Sequence, residues 1–329
     1  APLTDPPVPA ISSVDGRIRN DALTFWTDPL GTDVTPASCA DGEAPLEEDE
    51  VCGKDGRSIK RGGAGQQVPG FNGGSVGNAN TDPGARQVFT EDPGTGDFLD
   101  IGTAMTLTGI SPFLDPDDNL DEAGERELLA WIRGMDAYGA TPTDTRPWLI
   151  ADPMHSRPLV VNYGARAGSG YSTEFPDIRL FYGTNDGVVH FLKNTETDGD
   201  DSGVETAAFI PLELLSMQHT LALNGVQAAP PHPYGMDGEA VSMVYDDDRD
   251  GNIEPADGDY VWIFMGQRRG GTGLYAFDVT DPDDPELMWK ITNATTGFEQ
   301  LAMTFSTPVA TRMDLGDELG SDDGSDNTP

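Results

Sequence analysis

The sequence predicts a mainly β protein: a partial β-propeller of four-stranded antiparallel blades, with long loop insertions and one helix before the first clear blade. Two observations carry this prediction. The 329 residues include 40 Gly and 26 Pro, a content typical of many turns and short elements. From residue 158 onward, short apolar runs alternate with turns, and a set of four such runs occurs twice.

The N-terminal region, residues 1–118, is predicted to be loop-rich. Gly-rich and Asn-rich segments without periodicity fill residues 62–84, which favours a long loop there. A short apolar run at Gln87–Thr90 predicts a strand close to the end of this region. We therefore interpret the region as a degenerate or edge blade.

The chain contains two cysteines, Cys39 and Cys52, which bracket an acidic loop without a nearby histidine. This spacing disfavours a zinc site and favours a disulfide, and two unpaired thiols are the alternative. A disulfide would indicate an oxidising compartment.

A helix is predicted over residues 119–135. Asp118 is the expected N-cap, and acidic residues follow it in the first turn, where they favour the positive end of the helix dipole. Leu128, Leu129 and Ile132 recur at helical spacing and predict one buried face.

The blades are predicted within residues 146–313. The first blade, 158–215, has strands at Leu159–Tyr163, Arg179–Gly183, Val188–Leu192 and Thr206–Ile210. The second blade, 240–292, has strands at Ala240–Tyr245, Tyr260–Met265, Gly273–Val279 and Leu287–Ile291. A third blade is expected to start at 305–313, with a strand at Thr307–Arg312. Because propellers have four or more blades, the acidic tail 314–329 is expected to continue into a longer polypeptide.

Charge narrows the classes of partner. Acidic residues number 57 against 19 basic residues, which gives a formal net charge of -38. Such a surface repels phosphate backbones and anionic lipids, so we expect no nucleic-acid partner. No apolar run approaches the roughly 18 residues of a membrane-spanning helix, so the chain is predicted not to span a membrane. The acidic excess suits divalent cations, and adaptation to high salt explains it equally well.

The most specific motif lies between the first two predicted strands of the second blade. Residues 246–257 read DDDRDGNIEPAD, with carboxylates at positions one, three and five and Gly251 at position six. Ca²⁺ takes six to eight oxygen ligands, and alternate residues of a tightly turned loop direct oxygens to one point. The candidate ligands are Asp246, Asp248, Asp250, the backbone carbonyl of Asn252, Glu254 and Asp257. A solvated acidic turn is the alternative.

The histidines do not have the spacing of metal ligands. We interpret His155 as part of a structural hydrogen bond between blade loops, with a general base as the alternative. His190 lies on a predicted strand and is expected to pack in the interior.

Several segments resemble the PilY family of type IV pilus tip proteins. They are DPMHSRPLVV at 152–161, YGTNDGVVHF at 182–191, AFIPLELL at 208–215, GGTGLYAFDVTDP at 270–282 and FSTPV at 305–309. The resemblance implies a quinoprotein-like β-propeller at the pilus tip, exported through the periplasm to the cell surface. It implies minor pilins and an unknown surface ligand as partners, and roles in pilus biogenesis, adhesion and twitching motility.

The resemblance also bears on calcium, because the family's calcium loop lies where residues 246–257 lie. Carried over residue by residue, it implies Asp246, Asp248, Asp250, the carbonyl of Asn252 and Glu254 as ligands. The family usually has Asp at the last of these positions, and Asp257 is the alternative ligand there.

Two other functions compete with this one. A pyrroloquinoline quinone dehydrogenase requires a complete ring with an aromatic floor, and the visible blades are too few, so we predict that the chain is not an enzyme. A purely structural surface adhesin would use calcium only to rigidify the loop. A structural site would be saturated at ambient millimolar calcium, whereas a switch would bind near its working range.

Overall fold

The computed structural model describes residues 13–14, 64, 68, 86–101, 109–139, 146, 149–166, 170–195, 203–223 and 233–311. Ten strands in these residues form two sheets. The first sheet contains β1 (Val88–Glu91), β2 (Phe98–Asp100), β3 (Leu159–Gly164), β4 (Asp177–Gly183), β5 (Val189–Lys193) and β6 (Glu205–Phe209). The second contains β7 (Ala240–Tyr245), β8 (Tyr260–Gly266), β9 (Leu274–Asp278) and β10 (Glu286–Ile291).

The first sheet combines the predicted first blade with a hairpin from the N-terminal region. β3 to β6 pair antiparallel in sequence order. β1 then pairs with β6 in parallel, with Val88 opposite Ala208, and β2 pairs antiparallel with β1. The described part of the N-terminal region thus extends the first sheet past β6. Cys39 and Cys52 lie outside the described residues, so their pairing stays a prediction.

The second sheet is an antiparallel meander of β7 to β10, as the apolar runs predict. Alternate residues of β8 are buried in a core shared by both sheets: Val261, Ile263 and Met265. The residues between them carry partly exposed aromatic rings on the opposite face: Tyr260, Trp262 and Phe264. The predicted strand at Thr307–Arg312 does not form in its described part, because residues 305–311 pair with neither sheet.

The predicted helix is shorter than expected and begins elsewhere. It spans Glu122–Ile132, and its N-cap is Asp121, whose Oδ1 accepts a hydrogen bond from the Gly124 N–H at 2.9 Å. The prediction of Asp118 as N-cap is wrong: its φ of 53° is left-handed, whereas an N-cap is extended. Other helical segments among the described residues are short: Ser111–Leu114, Leu212–Met217, Gln218–Leu223, Pro255–Asp257 and Arg268–Gly270. No helix in the described part of the chain has the length and apolarity needed to cross a bilayer.

Aromatic rings join the two sheets into one core. Phe277 of β9 contacts Phe191 and Phe209 of the first sheet, with ring centroids 5.8 and 5.2 Å apart. Both contacts are edge-to-face, a geometry worth about 0.5–1.5 kcal/mol beyond area burial. The two blades therefore pack against each other directly.

The first sheet also contains a buried ionic network. Arg86 donates to both carboxylate oxygens of Glu205, at 2.6 and 3.0 Å, and His190 Nδ1 lies 2.6 Å from Glu205 Oε1. Burial alone would raise the pKa of Glu205, but Arg86 and His190 outweigh it and lower that pKa to about 2. His190 is fully buried, which confirms that it packs in the interior.

Candidate metal site

The acidic loop, residues 246–257, leaves the end of β7 and leads to the start of β8. Gly251 has a φ of 86°, so the glycine at position six supplies the left-handed turn that the motif predicts. Arg249 also has a positive φ, 62°, which is uncommon for a residue with a side chain. The chain therefore reverses direction sharply in the middle of the loop.

The turn brings three of the six predicted ligands together. One carboxylate oxygen from each of Asp246, Asp248 and Asp250 lies within 4.8 Å of the other two. Oxygens on opposite sides of a Ca²⁺ ion are about 5 Å apart, because each lies roughly 2.3–2.6 Å from the ion. The three oxygens are therefore close enough to share one calcium ion.

Hydrogen bonds within the loop maintain this arrangement. Asp246 accepts from the backbone N–H groups of Arg249 and Gly251, at 2.6 and 3.0 Å. Asp250 Oδ1 accepts from the backbone N–H of Asn252 at 2.7 Å. Each carboxylate has about four lone-pair positions, so these contacts leave capacity for a metal ion.

The electrostatics of the cluster favour an added cation. Within the described residues, no basic side chain forms an ion pair with Asp246, Asp248 or Asp250. The backbone N–H of Asp250 lowers the pKa of Asp248, but desolvation and the neighbouring carboxylates together raise that pKa above its ordinary value. A divalent ion would reverse this repulsion, and an all-oxygen donor set suits Ca²⁺.

Of the other three predicted ligands, the side chains of Glu254 and Asp257 are not part of this group of carboxylates. The Asn252 side chain, as distinct from its carbonyl, connects the cluster to Ala165: its Nδ2 donates to Asp250 Oδ2 at 2.8 Å, and its Oδ1 accepts from the backbone N–H of Ala165 at 2.7 Å. Glu254 and Asp257 neighbour each other instead. Partial desolvation and a hydrogen bond with Glu254 raise the pKa of the exposed Asp257.

Sequence reasoning missed one residue that shapes the loop. Asp259 is buried, and its two carboxylate oxygens accept from the backbone N–H groups of Asp247 and Glu254, at 2.8 and 2.9 Å. Asp259 thereby holds the start and the later part of the loop close together. The available signal was an acidic residue next to the first residue of β8, but it falls outside the alternating pattern of ligands.

A second polar site lies between the blades. His155 Nδ1 is 2.7 Å from Oδ1 of Asp237, whose other oxygen accepts from Arg268 Nη1 at 2.9 Å. Asp237 is buried and precedes β7, the first strand of the second blade, while His155 precedes β3, the first strand of the first blade. The contact confirms His155 as part of a hydrogen bond between blade loops.

These features define the class of the protein: a β-propeller domain built from antiparallel blades, with an acidic loop on its second blade. Residues 155–316 match the family described as the PilY1 β-propeller domain. The part of the chain that carries both blades, residues 155–316, therefore belongs to the PilY family.

The chain is similar to proteins named for a role in type IV pili. It is 30% identical over 256 residues to "Type IV pilus biogenesis factor PilY1" of Pseudomonas aeruginosa, covering 70% of this chain and 20% of that protein. It is 32% identical over 193 residues to "Type IV pilus biogenesis factor PilY1 homolog" of Xylella fastidiosa, covering 52% and 14%. The chain thus spans about a fifth of the length of the first of these relatives.

A solved structure gives a partial match. The crystal structure of the Pseudomonas aeruginosa PilY1 C-terminal domain is 28% identical to this chain. The match covers 42% of this chain and 22% of that one, with a TM-score of 0.26.

Proposed function

We propose that this chain is the calcium-binding propeller region of a type IV pilus biogenesis protein. The observation that carries the proposal is the convergence of Asp246, Asp248 and Asp250 without a basic partner among the described residues. The similarity to type IV pilus biogenesis factors supports the pilus role. The proposal includes an extracellular location at the pilus tip, contact with minor pilins and a surface ligand, and roles in adhesion and twitching motility.

Calcium would supply the positive charge that the loop lacks. The Asp246, Asp248 and Asp250 carboxylates would hold the ion, and the backbone carbonyl of Asn252, with Glu254 or Asp257, would complete the oxygen set. With its negative charge neutralised, the acidic loop would adopt a single conformation at the surface of the blade. Proteins of the pilus, or a surface ligand, could then distinguish the loaded loop from the empty one.

A purely structural calcium site is the second candidate. The observation that favours it is Asp259, which closes the loop through two hydrogen bonds that require no ion. An ion added to a loop that is already closed would rigidify it with little change of shape. Calcium affinity separates the two roles: a structural site remains saturated in the surroundings of the cell, and a switch does not.

The proposal is tested by titrating calcium into chelator-treated protein by calorimetry. We expect one site in the native protein and binding weaker by on the order of tenfold or more in Asp250→Ala, because affinity follows the number of charged ligands. Asp247→Ala is the matched control. This exposed neighbour interacts with the Tyr245 hydroxyl at 2.5 Å and lies outside the cluster, so its loss should leave affinity unchanged.

Two results would overturn the calcium assignment: equal affinity in all three proteins, or no binding in the native protein at millimolar calcium. The pilus role has a separate test. Cells that produce the complete protein with Asp250→Ala should assemble fewer surface pili than cells with Asp247→Ala. Equal piliation at equal protein levels would count against a calcium-dependent role in biogenesis.

A further inference from the structure

The acidic loop belongs to the second blade but is hydrogen-bonded to the first. The backbone N–H of Ile253 donates to the carbonyl of Tyr163 at 3.0 Å, and the backbone N–H of Ala165 donates to Asn252 Oδ1 at 2.7 Å. Tyr163 lies in β3, and Ala165 is the first residue after the end of β3. The loop therefore docks on the end of an edge strand of the other sheet.

One side chain connects this docking to the carboxylate cluster. The Asn252 amide accepts from Ala165 on one side and donates to Asp250 Oδ2 at 2.8 Å on the other. A proposed calcium ligand is thus two hydrogen bonds away from the backbone of the first blade. The next residue, Ile253, is 3% exposed and belongs to the core shared by both sheets.

Gly164 shows how closely the loop approaches β3. A Cβ atom at this position would lie 2.3 Å from the carbonyl oxygen of Gly251 and 2.9 Å from Cα of Asn252. Both are backbone atoms of the acidic loop, and no side-chain rotation could relieve such contacts. The docked loop therefore requires glycine at position 164.

We propose that the acidic loop is a calcium-dependent clamp between the first and second blades, with Gly164 and Asn252 as its positioning residues. This inference rests on the proposed function. Docking on β3 holds the half of the loop that follows Asp250, and a bound ion holds the half that contains the carboxylates. Because the two events share one short loop, each strengthens the other by the same factor.

The test is the calcium affinity of Gly164→Ala, measured by calorimetry. Gly164 supplies no ligand, yet the added methyl group would lift the loop from β3, and we expect affinity to fall on the order of tenfold. Gly96→Ala is the matched control. Gly164 has a φ of 72°, so an alanine there is strained in its backbone as well as in its contacts. Gly96 lies in the β1–β2 turn with a φ of 84° and no atom within 4 Å of an added Cβ, so its alanine variant has a similar backbone strain without touching the acidic loop.

Hydrogen exchange supplies a second measurement, which remains possible even where the Gly164→Ala variant fails to fold. In the native protein, calcium should slow exchange of the Ala165 amide, which belongs to the first blade and is a donor to Asn252. In Asn252→Ala, calcium should no longer slow it, although the native backbone carbonyl at position 252 is retained.

The outcomes separate the two proposals. Native binding with unchanged affinity in Gly164→Ala, and Ala165 exchange indifferent to calcium, would overturn the clamp and leave the calcium site intact. Absence of binding in the native protein would overturn both. A loss of affinity in Gly164→Ala but not in Gly96→Ala, or calcium protection of Ala165 that requires Asn252, would support the clamp.

Discussion

The carboxylates of the first sheet and those of the acidic loop differ in how their negative charge is balanced. In the first sheet, Glu205 is paired with Arg86, and Asp177 is paired with Arg179 at 2.6 Å, all four side chains being 1% exposed or less. In the acidic loop, three carboxylates converge with only backbone N–H groups and the Asn252 amide as partners among the described residues.

The difference follows from the cost of desolvation. A buried carboxylate without a countercharge destabilises the fold strongly, so the first sheet contains its own cations. At the surface, water screens the repulsion, and carboxylates can remain close together until an ion binds. The buried ion pairs of the first sheet should therefore form without calcium, whereas order in the loop should depend on it.

Loss of Arg86 is the strongest test of this difference between buried and exposed charge. In Arg86→Ala, Glu205 would keep its buried charge without its main partner, and we expect the free energy of unfolding to fall by about 3–5 kcal/mol. Urea unfolding followed by tryptophan fluorescence measures this. Arg126→Ala removes an exposed pair with Glu122 and should cost under about 1 kcal/mol. Similar losses in the two variants would contradict the distinction between buried and exposed pairs.

Calcium should stabilise the native protein and depend on Asp250. At calcium concentrations near 100 times Kd, binding to the folded state alone adds about 2.7 kcal/mol to the free energy of unfolding. Unfolding with calcium and with chelator measures the increase, which we expect to be lost in Asp250→Ala and kept in Asp247→Ala. An equal increase in both variants would instead indicate general screening of the acidic surface.

Acid should weaken the first sheet through Glu205. The folded-state pKa, about 2, lies below the ordinary value of 4.5, so this stabilisation is present above pH 4.5 and is lost as the pH falls towards 2. Between pH 5 and pH 3 the loss from this group is about 2 kcal/mol. Urea unfolding at both pH values, in chelator, should show a smaller decrease for Glu205→Gln. An identical decrease would exclude Glu205 as the source.

The smallest effect concerns a neutral contact between the sheets. The Tyr163 hydroxyl donates to the carbonyl of Val279 at 2.6 Å in the buried interior. Tyr163→Phe should lower the free energy of unfolding by about 1 kcal/mol, because one buried hydrogen bond is lost. Tyr245→Phe, which removes an exposed hydroxyl, should change it by less than half as much. Equal values would show that burial does not strengthen this contact.

The strands were predictable because their signal is local. Alternating apolar residues bounded by turns gave Ala240–Tyr245, which is β7, and Leu159–Tyr163, which falls within β3. The carboxylate cluster was also predictable, since the positions of Asp246, Asp248 and Asp250 around Gly251 depend only on the loop's own geometry.

Features that depend on distant residues were not predictable in this way. The sequence offered acids at both 118 and 121, and only the backbone conformation distinguishes Asp121 as the N-cap. Asp259 lies outside the loop pattern, and its role depends on how β8 begins. The attachment of Asn252 to Ala165 joins residues 87 positions apart, which no local pattern indicates.

The parallel pairing of β1 with β6 has a consequence for how the protein folds. β1 pairs locally with β2, but its other partner, β6, follows it by roughly 120 residues. The β1–β6 pairing therefore has a high contact order, which slows its formation. The antiparallel meander β3 to β6 closes through much shorter connections and should assemble first. A chain that emerges N-terminus first would therefore carry the β1–β2 hairpin with one edge of β1 open until the first blade is nearly complete.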